Sequence, residues 1–227
     1  MALKNQVYFV TGTDTGVGKT YAACALLQAA GQAGFTTAAS KPVAAGGEQT
    51  RAGVRNEDAL LLQACCNPSL SYEDINPICL QEAVAPHIAA VQEGISLEPE
   101  SLASSVKRVL SKQADLTLVE GAGGWRVPLN TQATMADLVK QLGIPVILVV
   151  GMRLGCLNHA LLSAEAIRQD GLVLQGWIAN QIDPQMPYQQ ENLDTLKTLI
   201  GAPLIARFQW QQPSPWQAVD LAALMGS

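Results

Sequence analysis

Short apolar segments alternate along the chain with longer segments of helical periodicity. The first apolar segment, residues 7–11, is β-branched and aromatic and ends at Gly12, which is typical of a buried strand. An alanine- and leucine-rich segment from about Lys19 to Gly34 predicts a helix. Further strands are predicted at residues 36–43, 116–119, 145–150, 173–180 and 203–206. Further helices are predicted at residues 58–66, 135–142 and 156–169, after Pro86, from Pro99, and through Leu193, Leu196 and Ile200, whereas residues 69–85 show no clear pattern.

Strands that alternate with helices predict an α/β protein with a mainly parallel sheet, because parallel strands need crossover connections. Near-continuous apolar strands indicate a sheet that is covered on both faces. Ligands of such sheets bind beyond the carboxyl ends of the strands. The Gln-, Trp- and Pro-rich residues 209–217 are interpreted as an irregular surface segment. The strand-end residues expected together at one rim are Gly12, Pro42, Glu120, Gly151 and Asn180.

Length and composition limit the possible classes of protein. With 227 residues, 48% of them hydrophobic and 15% charged, the chain is expected to form one domain over residues 1–227. A net charge of −5 without a Lys/Arg-rich run argues against a nucleic-acid binder. The longest strongly apolar segment, residues 144–152, is well short of the roughly 20 residues that span a bilayer. Because the first residues also lack the apolar segment of a secretory signal, a cytoplasmic protein is expected.

The cysteines are expected to be free thiols. Their number, five, is odd, and no C-x-x-C motif occurs. A zinc site takes about four nitrogen or sulfur ligands at close spacing, and the chain has only two histidines, His87 and His159. No zinc site can therefore be assembled from the sequence.

A candidate phosphate loop, residues 12–20 (GTDTGVGKT), follows the first strand and opens the first helix. In that context backbone N–H groups cradle phosphate oxygens, Lys19 reaches the β- and γ-phosphates and Thr20 binds Mg²⁺ through its hydroxyl. Five residues separate Gly12 from Gly18, where the common pattern has four and would need glycine at Thr13. The alternative is a glycine-bearing strand-to-helix turn with a solvated lysine.

Two acidic residues complete a candidate Mg²⁺ site. Glu120 ends an apolar strand, and Asp58 follows the loop after the second strand. Mg²⁺ prefers hard oxygen ligands, so the Thr20 hydroxyl, two carboxylates and two phosphates suffice. Taken alone, Glu120 is also compatible with a simple strand-end acid, and Asp58 with the start of a helix.

Four tracts in order resemble the dethiobiotin synthetase family. They are residues 12–20 (GTDTGVGKT), 41–43 (KPV), 120–125 (EGAGGW) and 154–159 (LGCLNH), and the resemblance runs from about residue 7 to residue 203. It implies a single P-loop domain of three layers, with a mainly parallel sheet of about seven strands, that works as a homodimer. It also implies an enzyme of biotin biosynthesis that uses Mg²⁺, ATP and CO₂ to close a ureido ring on 7,8-diaminopelargonate (7,8-diaminononanoate).

The resemblance also assigns roles to residues of this chain. Catalytic roles fall to Lys41, Lys19 and Thr15, with both ammonium groups flanking the carbamate and Thr15 at the diamine end. The implied nucleotide-binding residues are Gly16, Val17, Gly18, Lys19, Thr20, Tyr21, Asp58, Glu120, Gly121, Ala122, Gly123, Asn180, Gln181, Leu204, Ile205 and Ala206. The implied substrate-binding residues are Thr15, Lys41, Ala45, Gly155, Cys156 and Asn158, with the last three meeting the substrate carboxylate of the other protomer at a helix start. The implied metal ligands are Thr20, Asp58 and Glu120.

These residue types suit the implied chemistry. The carbamate, the phosphates and the leaving phosphate are all anionic at oxygen, so cations at that point stabilise the developing charge. The attacking amine must be unprotonated, and two neighbouring ammonium groups disfavour its protonated form. No separate general base is predicted.

The sequence departs from the family pattern at several positions. Gly16 replaces a common glutamate in the phosphate loop, and Ala45 stands where a serine is frequent. Gln181 replaces an aspartate after Asn180, and residues 203–208 lack the expected glycine and proline. These departures concern recognition of the nucleotide base and contacts to the substrate more than the reaction itself.

Two other classes of protein share part of this pattern. Another P-loop amide-forming ligase, such as a cobyrinate diamide synthetase, usually carries a glutaminase domain for which 227 residues leave no room. A non-enzymatic P-loop nucleotide sensor would need neither Lys41 nor the tract at residues 154–159.

Overall fold

The computed structural model describes residues 5–225, and what was predicted for residues 1–4 and 226–227 lies outside that range. The strands are β1 Gln6–Gly12, β2 Thr37–Ser40, β3 Val43–Ala44, β4 Glu48–Thr50, β5 Gly53–Arg55, β6 Ile78–Cys79, β7 Leu116–Gly124, β8 Val146–Met152, β9 Leu174–Gln181 and β10 Leu204–Phe208. The helices are α1 Lys19–Gln32, α2 Glu57–Ala64, α3 Tyr72–Ile75, α4 Pro86–Glu93, α5 Pro99–Leu110, α6 Met135–Leu142, α7 Cys156–Gln169, α8 Gln189–Leu199 and α9 Leu221–Met225, with a 3₁₀ helix at Pro215–Ala218. That residues 1–227 form one domain stays a prediction.

The central sheet consists of six parallel strands in the order β10–β9–β8–β1–β7–β2. Successive residues of β8 enter opposite cores: Leu148 and Val150 pack with α5 to α8, whereas Ile147 and Val149 pack with α1 to α3. Helices therefore cover both faces, which confirms the α/β prediction. Among the residues that the structure describes, the sheet has one strand fewer than the resemblance implied.

The prediction of one strand over residues 36–43 is wrong, because the backbone leaves the sheet at Lys41 and Pro42. The Lys41 N–H donates to the Ile75 carbonyl (2.7 Å) rather than to β7, and Pro42 has no N–H to donate. Beyond this break, β3 pairs with β6 in a separate parallel ribbon. Lys41 thus stands at the end of β2, at the rim where ligands of parallel sheets bind.

β7 is longer than predicted. The apolar pattern placed its end at Glu120, followed by a glycine loop, but the strand continues to Gly124, which pairs with Gly12 of β1. The pairing shifts register between Val10 and Gly12. The glycines after Glu120 therefore run beside the start of the phosphate loop instead of turning away from it.

No helix within residues 5–225 combines the length and the apolar character that crossing a lipid bilayer requires.

The start of α6 is stabilised by a carboxylate, and its removal should be measurable. Asp137 Oδ2 accepts hydrogen bonds from the N–H (2.8 Å) and the hydroxyl (2.9 Å) of Thr134. Hydrogen bonds from Lys140 and Thr134 lower the pKa of Asp137 to about 2. We expect Asp137→Ala to lower the free energy of unfolding by about 1 kcal/mol at neutral pH. The folded state stabilises only the ionised form of Asp137. The difference in the free energy of unfolding between the two proteins should therefore shrink as the pH falls from about 4 towards 2. Chemical denaturation at several pH values tests this, and a difference that is independent of pH would contradict it.

Candidate active site

The phosphate loop joins β1 to α1 in a conformation that suits an anion. Gly16 and Gly18 have φ angles of 73° and 83°, in the left-handed region that glycine adopts without strain. Gly18 is the N-cap of α1, so the first N–H groups of that helix lie at the loop. On β9, Asn180 Nδ2 donates to the Val17 carbonyl (2.9 Å) and fixes the middle of the loop.

One carboxylate oxygen joins residues from three elements. Glu120 Oε1, on β7, accepts a hydrogen bond from Thr20 Oγ1 at the start of α1 (2.8 Å) and lies 2.5 Å from Lys41 Nζ at the end of β2. Lys41 Nζ also lies 3.2 Å from Asp58 Oδ2 in the first turn of α2. The structure therefore brings together the four residues Thr20, Lys41, Asp58 and Glu120, as the expectation of a shared rim required.

The ion pair between Lys41 and Glu120 is almost completely buried. The side chains of Lys41 and Glu120 are 5% and 0% exposed, whereas that of Asp58 is 47% exposed. Burial alone would lower the pKa of Lys41, but the charges and hydrogen bonds of Glu120 and Asp58 outweigh it and raise the pKa of Lys41 above its ordinary value. Lys41 is thus a fixed positive charge at neutral pH.

Lys19 contrasts with Lys41 although both are buried lysines. Its Nζ donates to the Asp14 carbonyl within the phosphate loop (3.1 Å). Burial lowers the pKa of Lys19, Glu120 raises it and the nearby Lys41 lowers it, with the result at about 8. Both lysines therefore interact electrostatically with Glu120, but Lys41 forms a direct ion pair with it, whereas the Lys19 ammonium is held by the Asp14 carbonyl.

The rim also offers an oxygen atom that has no hydrogen-bond partner among the described residues. Glu120 Oε2 is buried and accepts no hydrogen bond from residues 5–225. Residues 5–225 contain no group of three or more histidine, cysteine, aspartate or glutamate side chains that could hold a metal ion by themselves. A metal ion here would need the Thr20 hydroxyl and oxygen atoms from a ligand beside the two carboxylates, a set that fits Mg²⁺ on a nucleotide.

Comparisons with known proteins agree with this geometry. Residues 6–218 match the family model described as an AAA domain. The chain is 55% identical over 200 residues to the ATP-dependent dethiobiotin synthetase of Pseudomonas aeruginosa strain UCBPP-PA14, with 88% of each chain covered. It is 50% identical over 211 residues to that of Escherichia coli strain K12, with 93% of each covered. The chain belongs to the dethiobiotin synthetase family.

Solved structures support the same fold at greater distance. A ParA family ATPase from Chlorobium tepidum superposes with a TM-score of 0.57 at 14% identity, covering 98% of this chain and 99% of that one. The cell division protein FtsY from Thermotoga maritima gives a TM-score of 0.57 at 14% identity, where 96% of this chain spans 66% of the other. At such identities the likeness shows the P-loop fold alone.

The dethiobiotin synthetase tract at residues 154–159 begins α7. Gly155 is the N-cap, with a φ of 92° and no side-chain hydrogen bond, so Asn158 is an exposed residue of the first turn and does not cap the helix. The Cys156 side chain is buried and its N–H donates to the Arg153 carbonyl (3.0 Å). An ion pair between Arg153 and Asp14 (2.7 Å) ties this tract to the phosphate loop.

Three residues assigned by resemblance to the nucleotide do not lie at the rim. Leu204 pairs with Trp177, and the side chains of Ile205 and Ala206 are buried in the sheet. The residue level with Asn180 is Phe208, which ends β10. The predicted strand ended at Ala206, two residues before the observed end of β10, because the sequence pattern did not show that the strand extends to Phe208.

The segment after β10 takes the place of those residues at the rim. The Trp210 N–H donates to Gln181 Oε1 (3.2 Å), and the Tyr21 hydroxyl donates to the Gln212 carbonyl (2.7 Å). Residues 209–212 therefore border Gln181 and Tyr21, and they are irregular and largely exposed, as the sequence predicted. Their irregular composition gave no periodic signal from which this position could be read.

The remaining predicted residues lie around the phosphate loop and β3. Thr15 is exposed, and its hydroxyl faces Gly123 of β7, where a Cβ atom would lie 3.4 Å from it. Gly121 lies against the Phe9 ring, and Ala122 packs beside the core. Ala45 follows β3, and its carbonyl accepts a hydrogen bond from Asn56 Nδ2 (3.3 Å).

A pair of glycine substitutions tests how the loop depends on Asn180. A Cβ atom at Gly18 would lie 2.2 Å from Asn180 Nδ2, whereas one at Gly16 would meet no atom within 4 Å. Both positions share the left-handed strain of about 1–2 kcal/mol. We expect Gly18→Ala to weaken ATP binding at least about tenfold more than Gly16→Ala in titration calorimetry, because only the former displaces the Asn180 amide. Equal losses would show that backbone strain alone matters.

Proposed function

We propose that this chain closes the ureido ring of dethiobiotin from 7,8-diaminononanoate and CO₂, with ATP hydrolysed to ADP and phosphate. The relatives' shared name, ATP-dependent dethiobiotin synthetase, gives ATP dependence, the product and a place in biotin biosynthesis. The observation that carries the proposal is that Lys41 and Thr20 both contact Glu120 beside the phosphate loop, close enough to Lys19 for Glu120 and Lys41 to affect its pKa.

Each step of the proposed reaction places negative charge on oxygen atoms beside Lys19 and Lys41. One amine of the substrate attacks CO₂ and loses a proton, which gives a carbamate. A carbamate oxygen then takes the γ-phosphoryl group and ADP leaves. The second amine attacks the carbonyl carbon of this mixed anhydride, phosphate leaves, and a second proton is released as the ring closes. Lys19 and Lys41 stabilise the anionic oxygen atoms in each step, and their charge favours an unprotonated amine.

Mg²⁺ fits the ligand set at the rim. Held by the Thr20 hydroxyl and the carboxylates of Asp58 and Glu120, it would neutralise phosphate charge. Lys41 contacts the same two carboxylates that would hold the metal ion, since its Nζ lies 2.5 Å from Glu120 and 3.2 Å from Asp58. The flexible stem of Lys41 allows its ammonium to leave these partners for the carbamate while it stays in the same pocket.

The substrate carboxylate is proposed to bind at the first turn of α7 of the other protomer in a homodimer. The first N–H groups of a helix lack intrahelical partners and favour an anion. Because the Cys156 side chain is buried, it contributes packing, and Gly155 and Asn158 stand at the exposed surface of the turn. Active sites would then lie at the subunit interface.

Residues 209–212 are proposed to border the nucleotide base together with Asn180 and Gln181. The segment contacts Gln181 and Tyr21 and lies at the strand ends, on the side of Asn180. We expect Trp210→Ala to raise the KM for ATP about tenfold, by analogy with aromatic stacking on bases. Initial rates against ATP concentration test this, with Trp216→Ala in the 3₁₀ helix as a matched control. An unchanged KM would place the base elsewhere.

The proposed function has a direct assay. The protein is incubated with 7,8-diaminononanoate, bicarbonate and MgATP, and both phosphate and dethiobiotin are measured. Equal amounts of the two products, each dependent on the diamine, are expected. If ATP hydrolysis does not depend on the diamine and no dethiobiotin forms, the proposal is overturned and a nucleotide sensor is favoured.

A further inference from the structure

A buried chain of polar side chains lies behind Lys41 and Asp58. Asn56, Tyr72 and Asn76 are 7%, 6% and 3% exposed, so each must find its hydrogen-bond partners inside the protein. None of the three carries a role in the reaction as described so far. Their contacts lead to both sides of the reaction centre.

Tyr72 is the centre of this polar network. Its hydroxyl accepts a hydrogen bond from the Asn56 N–H (2.8 Å) and donates one to Asn76 Oδ1 (2.9 Å). Burial raises the pKa of Tyr72 to about 12, so the hydroxyl keeps its proton at any assay pH. The guanidinium of Arg55 lies over the Tyr72 ring, 4.1 Å from its centroid, and holds the ring in place.

On one side the network reaches the backbone of Lys41. Asn76 Nδ2 donates to the Lys41 carbonyl (2.7 Å) and to the Ile78 carbonyl (3.0 Å). The neighbouring Ile75 carbonyl accepts from the Lys41 N–H (2.7 Å). Both backbone groups of Lys41 are therefore held by residues 75 and 76, where the chain leaves the central sheet.

On the other side the network reaches the helix that carries Asp58. Asn56 is the N-cap of α2, and its Oδ1 accepts from the Ala59 N–H (3.3 Å). Its Nδ2 donates to the carbonyl of Ala45 (3.3 Å), beyond β3. Asp58, two residues after Asn56, is thereby set in position relative to Lys41.

We propose that Asn56, Tyr72 and Asn76 are positioning residues for the reaction, which set the backbone of Lys41 relative to the helix start that carries Asp58. The inference rests on the proposed function, since it concerns the same site. None of the three touches the reacting atoms. Their effect is to align two groups that come from different elements, and misplacement of such groups by about 1 Å costs up to about a hundredfold in rate.

Tyr72→Phe removes a single hydroxyl and leaves the ring in place. It also leaves the Asn56 N–H and Asn76 Oδ1 without their buried partner. We expect kcat to fall at least about tenfold, in the range found for residues that orient ligands of a reactive centre. The affinity for ATP without Mg²⁺ should stay within about twofold, because the network reaches Lys41 and Asp58 but does not touch the phosphate loop.

Tyr8→Phe is the matched control. Its hydroxyl is also buried and bonds to Gln6 Oε1 (2.9 Å) and the Leu224 carbonyl (3.1 Å), away from Lys41 and Asp58. Both variants should lower the melting temperature, whereas only Tyr72→Phe should lower kcat. Asn56→Ser is a milder second variant that keeps an N-cap oxygen and loses the amide donor to Ala45. It should reduce kcat/KM for the diamine several-fold.

The outcomes separate the two proposals. If the unmodified protein forms no dethiobiotin, the proposed function fails before any variant is compared. If it is active and Tyr72→Phe keeps its kcat, or Tyr8→Phe loses as much, the positioning role is wrong. Should Tyr72→Phe not fold, Asn56→Ser decides alone. Several-fold loss of kcat/KM for the diamine with an unchanged affinity for ATP without Mg²⁺ supports the inference, and no loss overturns it.

Discussion

Lys41→Gln should reduce dethiobiotin formation at least about a thousandfold while ATP affinity stays within about threefold of the unmodified protein. The reason is that the Lys41 ammonium comes from the end of β2 and is paired with Glu120 and Asp58, whereas the N–H groups at the start of α1 are proposed to bind the phosphates. Removing one charge that stabilises an anionic transition state costs about 10²–10³ in rate, and here the same charge also favours the free amine. Steady-state turnover and calorimetric titration with ATP measure the two quantities separately.

The substitution also leaves Glu120 buried without its cation, so folding must be checked. Loss of one partner of a buried ion pair costs about 3–5 kcal/mol. Lys197→Gln, on the exposed surface of α8, is a suitable control for the same change of residue type. Equal losses of turnover and ATP binding in folded Lys41→Gln protein would show that Lys41 serves the nucleotide and not the carbamate.

Glu120→Gln should reduce turnover at least about a hundredfold and raise the Mg²⁺ concentration needed for half-maximal rate. The amide keeps the shape of the side chain but loses the charge that Thr20 and Lys41 share. The pKa of Lys41 should fall, because Glu120 is the main group that raises it against burial. In the unmodified protein that raised pKa stabilises the fold below the ordinary lysine pKa, and the contribution disappears as the pH rises through the folded value. The variant should lack it and be about 3–5 kcal/mol less stable at neutral pH.

Mg²⁺ titrations of the rate and denaturation curves of the same samples test this prediction. Glu165→Gln, at an exposed position of α7, is the control. If the Mg²⁺ dependence is unchanged although stability is lost, Glu120 is only the structural partner of Lys41, and the metal ion is bound by other groups.

The parts of the molecule that the sequence predicted are those with local signals. Apolar strands, helix stops and the Gly-Lys-Thr end of the phosphate loop can each be recognised from a few neighbouring residues. Parallel topology then places the carboxyl ends of the strands at one rim. That reasoning brought Lys41, Asp58 and Glu120 to one place before any contact was known. The contacts between them span 79 residues for Lys41 and Glu120, and no local pattern encodes such a pair.

The misses have physical causes that local patterns do not carry. The break at Pro42 depends on Ile75 as an alternative acceptor for the Lys41 N–H, which lies 34 positions along the chain in a segment without periodicity. Tyr72 and Asn76 come from that same segment, so the hydrogen bonds between Asn56, Tyr72 and Asn76 could not be predicted from the sequence. The end of β10 was misplaced because residues 207–209 carry no turn signal, so the sequence did not indicate that Trp210 follows the end of the strand at the rim.

The shared oxygen of Glu120 has a consequence for sequence change over time. Because Thr20 and Lys41 both contact Glu120 Oε1, a change at any one of the three alters what the other two contribute. The fold-loss of activity in a double variant of these residues should therefore be smaller than the product of the fold-losses in the two single variants, which is a form of epistasis. A lineage that has lost one of these groups has little left to lose at the others, and drift at the three positions should be correlated.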